Sequence, residues 1–384
     1  MGDKLRKPTV VLALVLETVD DIVDREFCRP PDRALIALAE SADVGRLIVS
    51  DPWRSWPVQV ARRRTLKTRQ TLSVRGKPVR RISPRRLRRA DPLDVPGLEV
   101  QFRRYARRVG AAAGLSATDG AALITYDPFV AAFADAPWIT RLVYVGQDDF
   151  VHGTKRRAWS PAYEEAYRRI RDRCDDIFTI SDELSERIAP GRARTLPNGV
   201  DAELWAPREV PAANKWTERG PYAVYAGSVE GRVDDSLFAE VLKAVPEVVV
   251  VGPCFDPEQR ARLEAMDGVT LTGSLGQREL VEVVSAARVG LIPHHDTPMT
   301  RAMSPLKMYE YLAAGLPVVA TDLPPVAVEG ERVLLCRTRD EWAPAVRAAL
   351  ALGPLDAAGR NAVLARVSWG VRLTPLVASA TDPR

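Results

Sequence analysis

The chain has 384 residues, of which 46% are hydrophobic and 27% are charged, and its formal net charge is +5. This length predicts two domains that each bury their own core, so disulfides are unnecessary, and the four scattered cysteines favour a reducing compartment. The longest apolar run, residues 9–16, is too short to cross a membrane and is followed by acidic residues instead of a signal-peptide cleavage site. We therefore expect a cytoplasmic protein.

Short branched apolar runs alternate with helical stretches along the first half of the chain. The run at residues 10–16 is apolar throughout, which is typical of a parallel strand covered on both faces. Pro30 opens a predicted helix. Further strands are predicted at residues 46–51, 122–126, 141–145 and 176–180. This order of strands and helices predicts a doubly wound α/β domain.

A second α/β series follows a stretch of turn and polar residues between positions 197 and 221. Its predicted strands are at residues 222–226, 247–251, 269–272, 289–293, 317–321 and 333–336. Two such domains in tandem predict a ligand cleft at the carboxyl edges of their sheets. The predicted organisation is a first domain at 1–205, a second domain at 206–365 and a final helix at 366–384.

The most informative segment is residues 304–322, which read SPLKMYEYLAAGLPVVATD. Ser304 is a predicted helix N-cap and Pro305 a predicted first helical residue. A helix that starts just after a strand directs backbone N–H groups at a bound anion, for which phosphate is the natural candidate. Lys307 in the first turn fits an anionic ligand, and Glu310 can accept hydrogen bonds from ribose hydroxyls. The alternative is an ordinary amphipathic helix.

Residues 304–322 resemble the carboxyl-terminal signature of GT-B glycosyltransferases, particularly the family 4, or group 1, type. Shorter matches follow the family's order at residues 196–201 (LPNGVD), 225–228, 251–253 and 367–369. The resemblance implies a GT-B fold, in which two Rossmann-like doubly wound domains face a cleft and the C-terminal helix crosses back to the first domain. It implies that the first domain binds the acceptor and that the second binds the nucleotide sugar. It also implies a nucleoside-diphosphate sugar as co-substrate and a retaining transfer that needs no bound cofactor or metal.

The resemblance also suggests donor-binding residues. Glu310 matches the second Glu of the family's E-x7-E motif, which holds the ribose, whereas Ala302 replaces the first Glu and implies a differently held, deoxy or modified donor sugar. Arg232 is a candidate clamp for the diphosphate because a guanidinium fork matches phosphate oxygens, although a solvated turn arginine is the alternative. The predicted nucleotide-sugar-binding residues are Gly227, Ser228, Arg232, His294, Ser304, Leu306, Lys307 and Glu310.

In the first domain, Asp148, Asp149 and His152 follow a predicted strand at the edge where cleft chemistry occurs. Attack on a sugar donor requires an acceptor hydroxyl that loses its proton, so these three are the predicted catalytic residues. A loop-capping aspartate pair beside a surface histidine is the alternative. His294, His295 and Asp296 alone are too little to predict a metal site.

Residues 61–90 hold 13 arginines and lysines and no acidic residue, so the rest of the chain is net acidic. Within this basic segment, residues 72–82 predict two short strands around a glycine turn, and Pro84 precedes a predicted short helix. Its alternatives are a role at an acceptor or an anionic membrane surface, a plain solvated insertion, and nucleic-acid binding. The absence of aromatic residues disfavours nucleic acid.

Together these features predict a cytoplasmic glycosyltransferase, with peripheral contact at the inner membrane face as an alternative. The expected acceptor is a hydroxyl group on a small natural product or on a lipid-linked envelope glycan. Two further functions stay open: a sugar-nucleotide epimerase of the same fold, and a non-catalytic protein that binds polyanions.

Overall fold

The structure is a computed structural model that describes residues 7–61, 70–207, 215–327 and 330–382. The chain divides into two compact units, Met1–Pro197 with Leu373–Arg384, and Asn198–Arg372. Each unit is built around its own largely parallel sheet. The predicted α/β class is therefore confirmed.

The first unit contains an eight-stranded sheet in the order β10-β9-β8-β7-β1-β2-β5-β4. Its strands pair in parallel except for the β4–β5 hairpin. Since β1 lies between β2 and β7, the strand order reverses beside β1, and β1 is fully buried after Thr9. The strands of this unit, with the separate β3–β6 pair, are β1 (Thr9–Ala13), β2 (Arg46–Ser50), β3 (Arg54–Ser55), β4 (Thr71–Val74), β5 (Lys77–Ile82), β6 (Arg85–Arg86), β7 (Ala121–Thr125), β8 (Ile139–Gly146), β9 (Asp176–Thr179) and β10 (Arg194–Thr195).

The helices of the first unit begin at recognisable caps. Asp94 accepts a hydrogen bond from the Gly97 N–H and starts the longest helix, and Asp127 caps the helix after β7 in the same way. The helices are α1 (Val19–Asp24), α2 (Pro30–Glu40), α3 (Trp56–Ala61), α4 (Val95–Ala113), α5 (Pro128–Phe133), α6 (Ser160–Arg173) and α7 (Asp182–Ile188), with a 3-10 helix at Thr154–Trp159.

Part of the basic segment lies in the sheet. The predicted hairpin is confirmed: β4 and β5 join through Arg75 and Gly76, which both have positive φ, and β5 pairs with β2. Arg81 on β5 is buried and pairs with Asp20 and Asp51. The basic residues that fall outside the described ranges are Arg62, Arg63, Arg64, Lys67 and Arg69.

The predicted helix after Pro84 is wrong. Arg85 and Arg86 instead form β6, which pairs with β3, and the next helix starts only after the Asp94 cap. The physical reason is the Arg86 side chain, which turns inward and pairs with Asp91.

The second unit has a six-stranded parallel sheet in the order β13-β12-β11-β14-β15-β16. Successive side chains of its central strand enter two different apolar cores, which cover the two faces of the sheet. The strand order reverses between β11 and β14. The strands are β11 (Tyr222–Ala226), β12 (Glu247–Val251), β13 (Val269–Gly273), β14 (Val289–Ile292), β15 (Val318–Thr321) and β16 (Val333–Cys336).

The helices of the second unit are α8 (Ala202–Trp205), α9 (Leu237–Val241), α10 (Pro257–Glu264), α11 (Gln277–Ala286), α12 (Pro298–Arg301), α13 (Leu306–Ala313), α14 (Pro324–Ala327), α15 (Trp342–Leu352), α16 (Ala357–Val367) and α17 (Trp369–Arg372), with a 3-10 helix at Arg339–Glu341. The predicted first domain included residues 198–205. In the structure these residues belong to the second unit, because Val200 forms a β-bridge with Ser368 and Trp205 is buried in the second unit's core.

The last helix, α18 (Thr374–Thr381), groups with the first unit. Ser379 donates a hydrogen bond of 2.6 Å to Asp176 at the start of β9, and Asp382 pairs with Arg141 on β8 at 3.0 Å. Across the described ranges, no helix combines the length and the apolar character that a membrane span requires.

Candidate active site

The end of β11 leads into a turn that only glycine fits. Gly227 has a φ of +129°, and Gly252 at the end of β12 has a φ of +132°. A Cβ on Gly252 would lie 2.3 Å from the Gly227 carbonyl oxygen, so the two backbones leave no room for a side chain. Ser228 follows, and its carbonyl accepts a hydrogen bond of 3.0 Å from the Tyr225 hydroxyl. Bare backbone therefore lines the point where the strand order reverses.

Lys307 brings the start of α13 to the same turn. Its side chain is buried, and its Nζ lies 3.9 Å from the centre of the Tyr225 ring and 3.5 Å from His294 Nε2. A Cβ on Gly227 would lie 3.2 Å from that Nζ, so the glycine also gives the ammonium its space. Burial and, next, the positive charge of Arg232 lower the pKa of Lys307 well below its usual range, while Glu310 opposes that shift.

Arg232 and His294 complete a cluster of nitrogen donors. Arg232 hydrogen-bonds to the Tyr225 hydroxyl, and its Nε atom is buried without a partner. His294 is 2% exposed, and burial together with Lys307 and Arg232 lowers its pKa well below the usual range, so its imidazole is neutral. No ion pair in the described part of the chain includes Lys307 or Arg232. The cluster therefore presents positive charge that no carboxylate neutralises by direct contact.

The helix start at α13 differs from the sequence expectation. Pro305 is the N-cap and Leu306 the first helical residue, so the predicted Ser304 N-cap is wrong. The Ser304 hydroxyl and carbonyl oxygens instead accept hydrogen bonds of 3.2 and 2.6 Å from the backbone N–H and side-chain amide of Asn198. Ser304 thus anchors the chain before the helix, while Leu306 and Glu310 are half-buried along it.

The neighbouring loop gives no sign of a metal centre. Asp296 forms a two-fold ion pair with Arg301 at 2.7 and 2.9 Å, and His295 lies 3.8 Å from Asp234. No group of three or more potential metal ligands occurs among the described residues. Of His294, His295 and Asp296, His294 is therefore the residue that lies in the cluster of nitrogen donors with Lys307 and Arg232.

In the first unit, the loop after β8 contains an aspartate–histidine pair. The buried carboxylate of Asp149 accepts hydrogen bonds from His152 Nδ1 at 2.7 Å, from Arg187 at 2.5 Å and from two backbone N–H groups. The His152 side chain is 56% exposed, so its Nε2 edge is open to solvent. Asp148 is exposed, and its carbonyl accepts a hydrogen bond from Tyr167. Asp149 therefore orients the imidazole ring of His152. Of the three predicted catalytic residues, His152 is the one placed to exchange a proton, through its Nε2 atom.

A cavity that the sequence analysis missed lies at the carboxyl ends of β1, β2 and β7. It has a volume of about 460 Å³, and its walls include Trp53, Phe129, Arg86 and Arg156. These residues come from four separate parts of the chain, so no contiguous motif marks them. The nearest sequence signal is the Asp127 cap directly after β7, at the edge where doubly wound sheets bind ligands.

Whole-chain structural comparison defines the class of fold. Sucrose-phosphate synthase from Thermosynechococcus elongatus matches 96% of this chain and 97% of its own, with a TM-score of 0.65 at 16% identity. An alpha,alpha-trehalose-phosphate synthase (UDP-forming) from Burkholderia vietnamiensis matches 97% of this chain and 98% of its own, with a TM-score of 0.64 at 16% identity. The fold is that of the GT-B glycosyltransferases, as the sequence predicted.

Sequence comparison points to one family. Residues 224–352, which lie within the second unit, match the family model of group 1 glycosyl transferases. The chain is also 30% identical over 173 residues to TuaH of Bacillus subtilis (strain 168), a protein named as a teichuronic acid biosynthesis glycosyltransferase. That match covers 42% of this chain and 44% of TuaH, so the chain spans less than half of this curated relative.

Proposed function

We propose that the chain is a glycosyltransferase that moves a sugar from a nucleoside-diphosphate sugar to an acceptor hydroxyl. The observation that carries this proposal is the pairing of the buried Lys307 with the half-buried Arg232, whose Nε atom is buried; no carboxylate contacts either side chain directly in the described part of the chain. Burying an unpaired charge is costly, and a bound anion offsets that cost. A diphosphate group has enough charge to pair with both side chains.

The chemistry assigned to each donor-site residue follows from its position. Gly227 and Ser228 let the diphosphate approach the backbone, while Arg232 and Lys307 bind its oxygens as negative charge develops on the leaving group. Neutral His294 donates a further hydrogen bond. In the remaining assignments, Leu306 contributes the first turn of α13, Ser304 anchors that turn, and Glu310 accepts the hydroxyls of the ribose.

In this proposal the first unit supplies the base. His152 Nε2 removes the proton of the acceptor hydroxyl as it attacks the sugar, while Asp149 stabilises the imidazolium that forms. Arg187 holds the Asp149 carboxylate in place. The acceptor is an intermediate of natural-product or envelope-glycan synthesis, which the teichuronic acid relative supports. The transfer retains the anomeric configuration, so the acceptor oxygen bonds to the anomeric carbon on the same face from which the nucleoside diphosphate leaves.

The donor site is tested by ligand-induced thermal stabilisation, because a ligand that binds only the folded state raises the melting temperature. UDP, GDP, ADP and dTDP are compared with the matching nucleosides, and the most stabilising diphosphate is titrated by calorimetry. Lys307→Met should weaken its binding by at least about tenfold, since a charge-assisted contact is lost.

Lys243→Met is the matched control, because the exposed Lys243 side chain pairs with Glu240 away from the cluster. Equal affinity in wild type and Lys307→Met would contradict the donor site. Incubation with the sugar nucleotide alone tests the reaction: release of the nucleoside diphosphate should require an acceptor hydroxyl, whereas conversion of the donor into an isomer would show an epimerase.

A further inference from the structure

The cavity of the first unit lies at the carboxyl ends of β1, β2 and β7, where the strand order of that sheet reverses. Doubly wound sheets bind ligands at such positions. Trp53, Phe102 and Phe129 form an aromatic wall, whereas Arg86 and Arg156 belong to its polar side. The cavity of about 460 Å³ is large enough for one sugar with a substituent.

Most acidic groups around the cavity already have partners. Glu17 pairs with Arg25 and Arg29, which are not part of the cavity wall, and Asp21 pairs with Arg54. Asp91 and Asp127 face the two inner arginines, Arg86 and Arg156.

Asp91 accepts hydrogen bonds from both Arg86 and Gln101. The buried Asp127 carboxylate accepts the backbone N–H groups of Phe129 and Val130. Burial raises its pKa, while the positive charges of Arg156 and Arg86 oppose that shift. Asp127 therefore offsets part of the positive charge of the two inner arginines without forming an ion pair with Arg156.

Arg156 has a hydroxyl rather than a carboxylate as its partner. Its guanidinium donates to the Tyr163 hydroxyl at 3.1 Å, and no ion pair in the described ranges includes it. Burial and, next, the charge of Arg156 lower the pKa of Arg86 to about 10, while Asp127 opposes that shift. The two guanidinium groups therefore repel each other. An anion between or beside them would relieve that repulsion.

Three residues of the wall also carry unsatisfied polar atoms. Arg86 Nε, Trp53 Nε1 and Ser55 Oγ are buried and have no hydrogen-bond partner. Two of these atoms can only donate, and the third can donate as well. Buried donors are nearly always paired in folded proteins, so these three atoms lack an acceptor in the ligand-free protein.

We propose that this cavity binds the anionic group of the acceptor, a phosphate ester or a carboxylate on a hydroxylated sugar, through Arg156 and Arg86. The ring of the sugar lies beside the aromatic wall, and Trp53 and Ser55 donate to its oxygens. This inference rests on the proposed transferase function and names the acceptor class: an anionic sugar. A planar guanidinium suits both phosphate and carboxylate, so the two sources share one binding chemistry.

The test compares glucose 6-phosphate, glucuronate and glucose by calorimetry on the full chain. Each is titrated with the donor site saturated by the most stabilising nucleoside diphosphate and again without it, because a phosphate also fits the Lys307–Arg232 cluster. At least one anionic sugar should bind about tenfold or more tightly than glucose in the saturated protein. Preference for glucose 6-phosphate identifies a phosphate ester, and preference for glucuronate identifies a carboxylate.

Arg156→Met should abolish that preference while leaving nucleoside-diphosphate affinity unchanged. Arg157→Met is the matched control, since Arg157 is exposed and outside the cavity wall, and it should keep the preference. Arg86→Lys, which retains the charge next to Asp91, serves as a second variant and should weaken the anionic sugar by several-fold. Comparable melting temperatures establish that each variant is folded.

Equal binding of glucose and both anionic sugars, or an unchanged preference in Arg156→Met, would overturn the inference. If the wild-type protein bound the anionic sugar but no nucleoside diphosphate, that result would instead contradict the proposed donor site. The two failures are therefore distinguishable.

Discussion

The two sheets reverse their strand order at similar places, but they equip those places differently. In the second unit, His294 follows β14 and Lys307 lies in α13, and with Arg232 they form one compact cluster of nitrogen donors beside Gly227. In the first unit, a cavity is assembled from residues that are more than 100 positions apart, from Trp53 to Arg156. The compact cluster suits the diphosphate of the proposed function, whereas the cavity offers both an aromatic and a polar side, as the proposed acceptor requires.

Among the variants that test this difference between the two units, substitution of His152 should have the largest effect, and that effect should be on kcat. His152→Ala should lower kcat by about a hundredfold or more, because general-base catalysis typically contributes 10²- to 10⁴-fold. Nucleoside-diphosphate affinity should stay the same, since His152 lies in the first unit. Steady-state kinetics with a turned-over acceptor provide the measurement, and a kcat within threefold of wild type would remove His152 from the reaction.

A matched pair of variants separates the two ends of the donor site. Arg232→Ala should weaken a nucleoside diphosphate by roughly tenfold or more and the bare nucleoside hardly at all, because it removes a guanidinium contact to phosphate. Glu310→Ala should weaken both ligands by a similar factor of several-fold, since both carry the ribose. Calorimetry with the two ligands on each variant checks this pattern, and identical losses for both ligands in Arg232→Ala would exclude it from the diphosphate site.

The smallest expected effect is the uptake of protons when the nucleoside diphosphate binds. The pKa of Lys307 is depressed in the ligand-free protein, and a bound diphosphate favours the charged ammonium, so binding should take up protons. Affinity should therefore fall as pH rises through the window between the free and bound pKa values, by at most about tenfold per pH unit for each proton taken up. Calorimetry in buffers of different ionisation enthalpy measures the uptake.

Lys307→Met should reduce that proton uptake. Any uptake left in the variant belongs to His294, whose pKa is depressed in the same direction. Proton release on binding, or an uptake that Lys307→Met does not change, would contradict the assignment of Lys307 to the diphosphate.

Much of the second unit was predictable because its signals are local. The apolar run at residues 247–251 and the helix-to-strand segment around Gly315 each specify one element and its end. The same locality explains the error at Ser304, where a good capping residue was assigned by its neighbours in sequence. Its actual partner, Asn198, is 106 positions away, and such a contact leaves no periodic or turn signal.

The first unit shows the opposite case. The composition of residues 61–90 left a role at an acceptor or membrane surface, a solvated insertion and nucleic-acid binding open, and it did not indicate that Arg81 and Arg86 pair with Asp51 and Asp91. Charge counts report neither the direction of a side chain nor its partner. The cavity wall could not be predicted from the sequence either, because it forms only when four distant parts of the chain are folded together.

Tyr311 ties together two parts of the donor cluster. Its buried hydroxyl accepts a hydrogen bond of 2.7 Å from the Ala226 N–H, just before the glycine turn, and its ring fills the space above Gly290, where a Cβ would approach it to 2.3 Å. Helix α13 and the ends of β11 and β14 are thereby fastened into a single piece. A change of donor specificity at this cluster would therefore require the exchange of side chains, because a shift of one of these elements would disturb the other two.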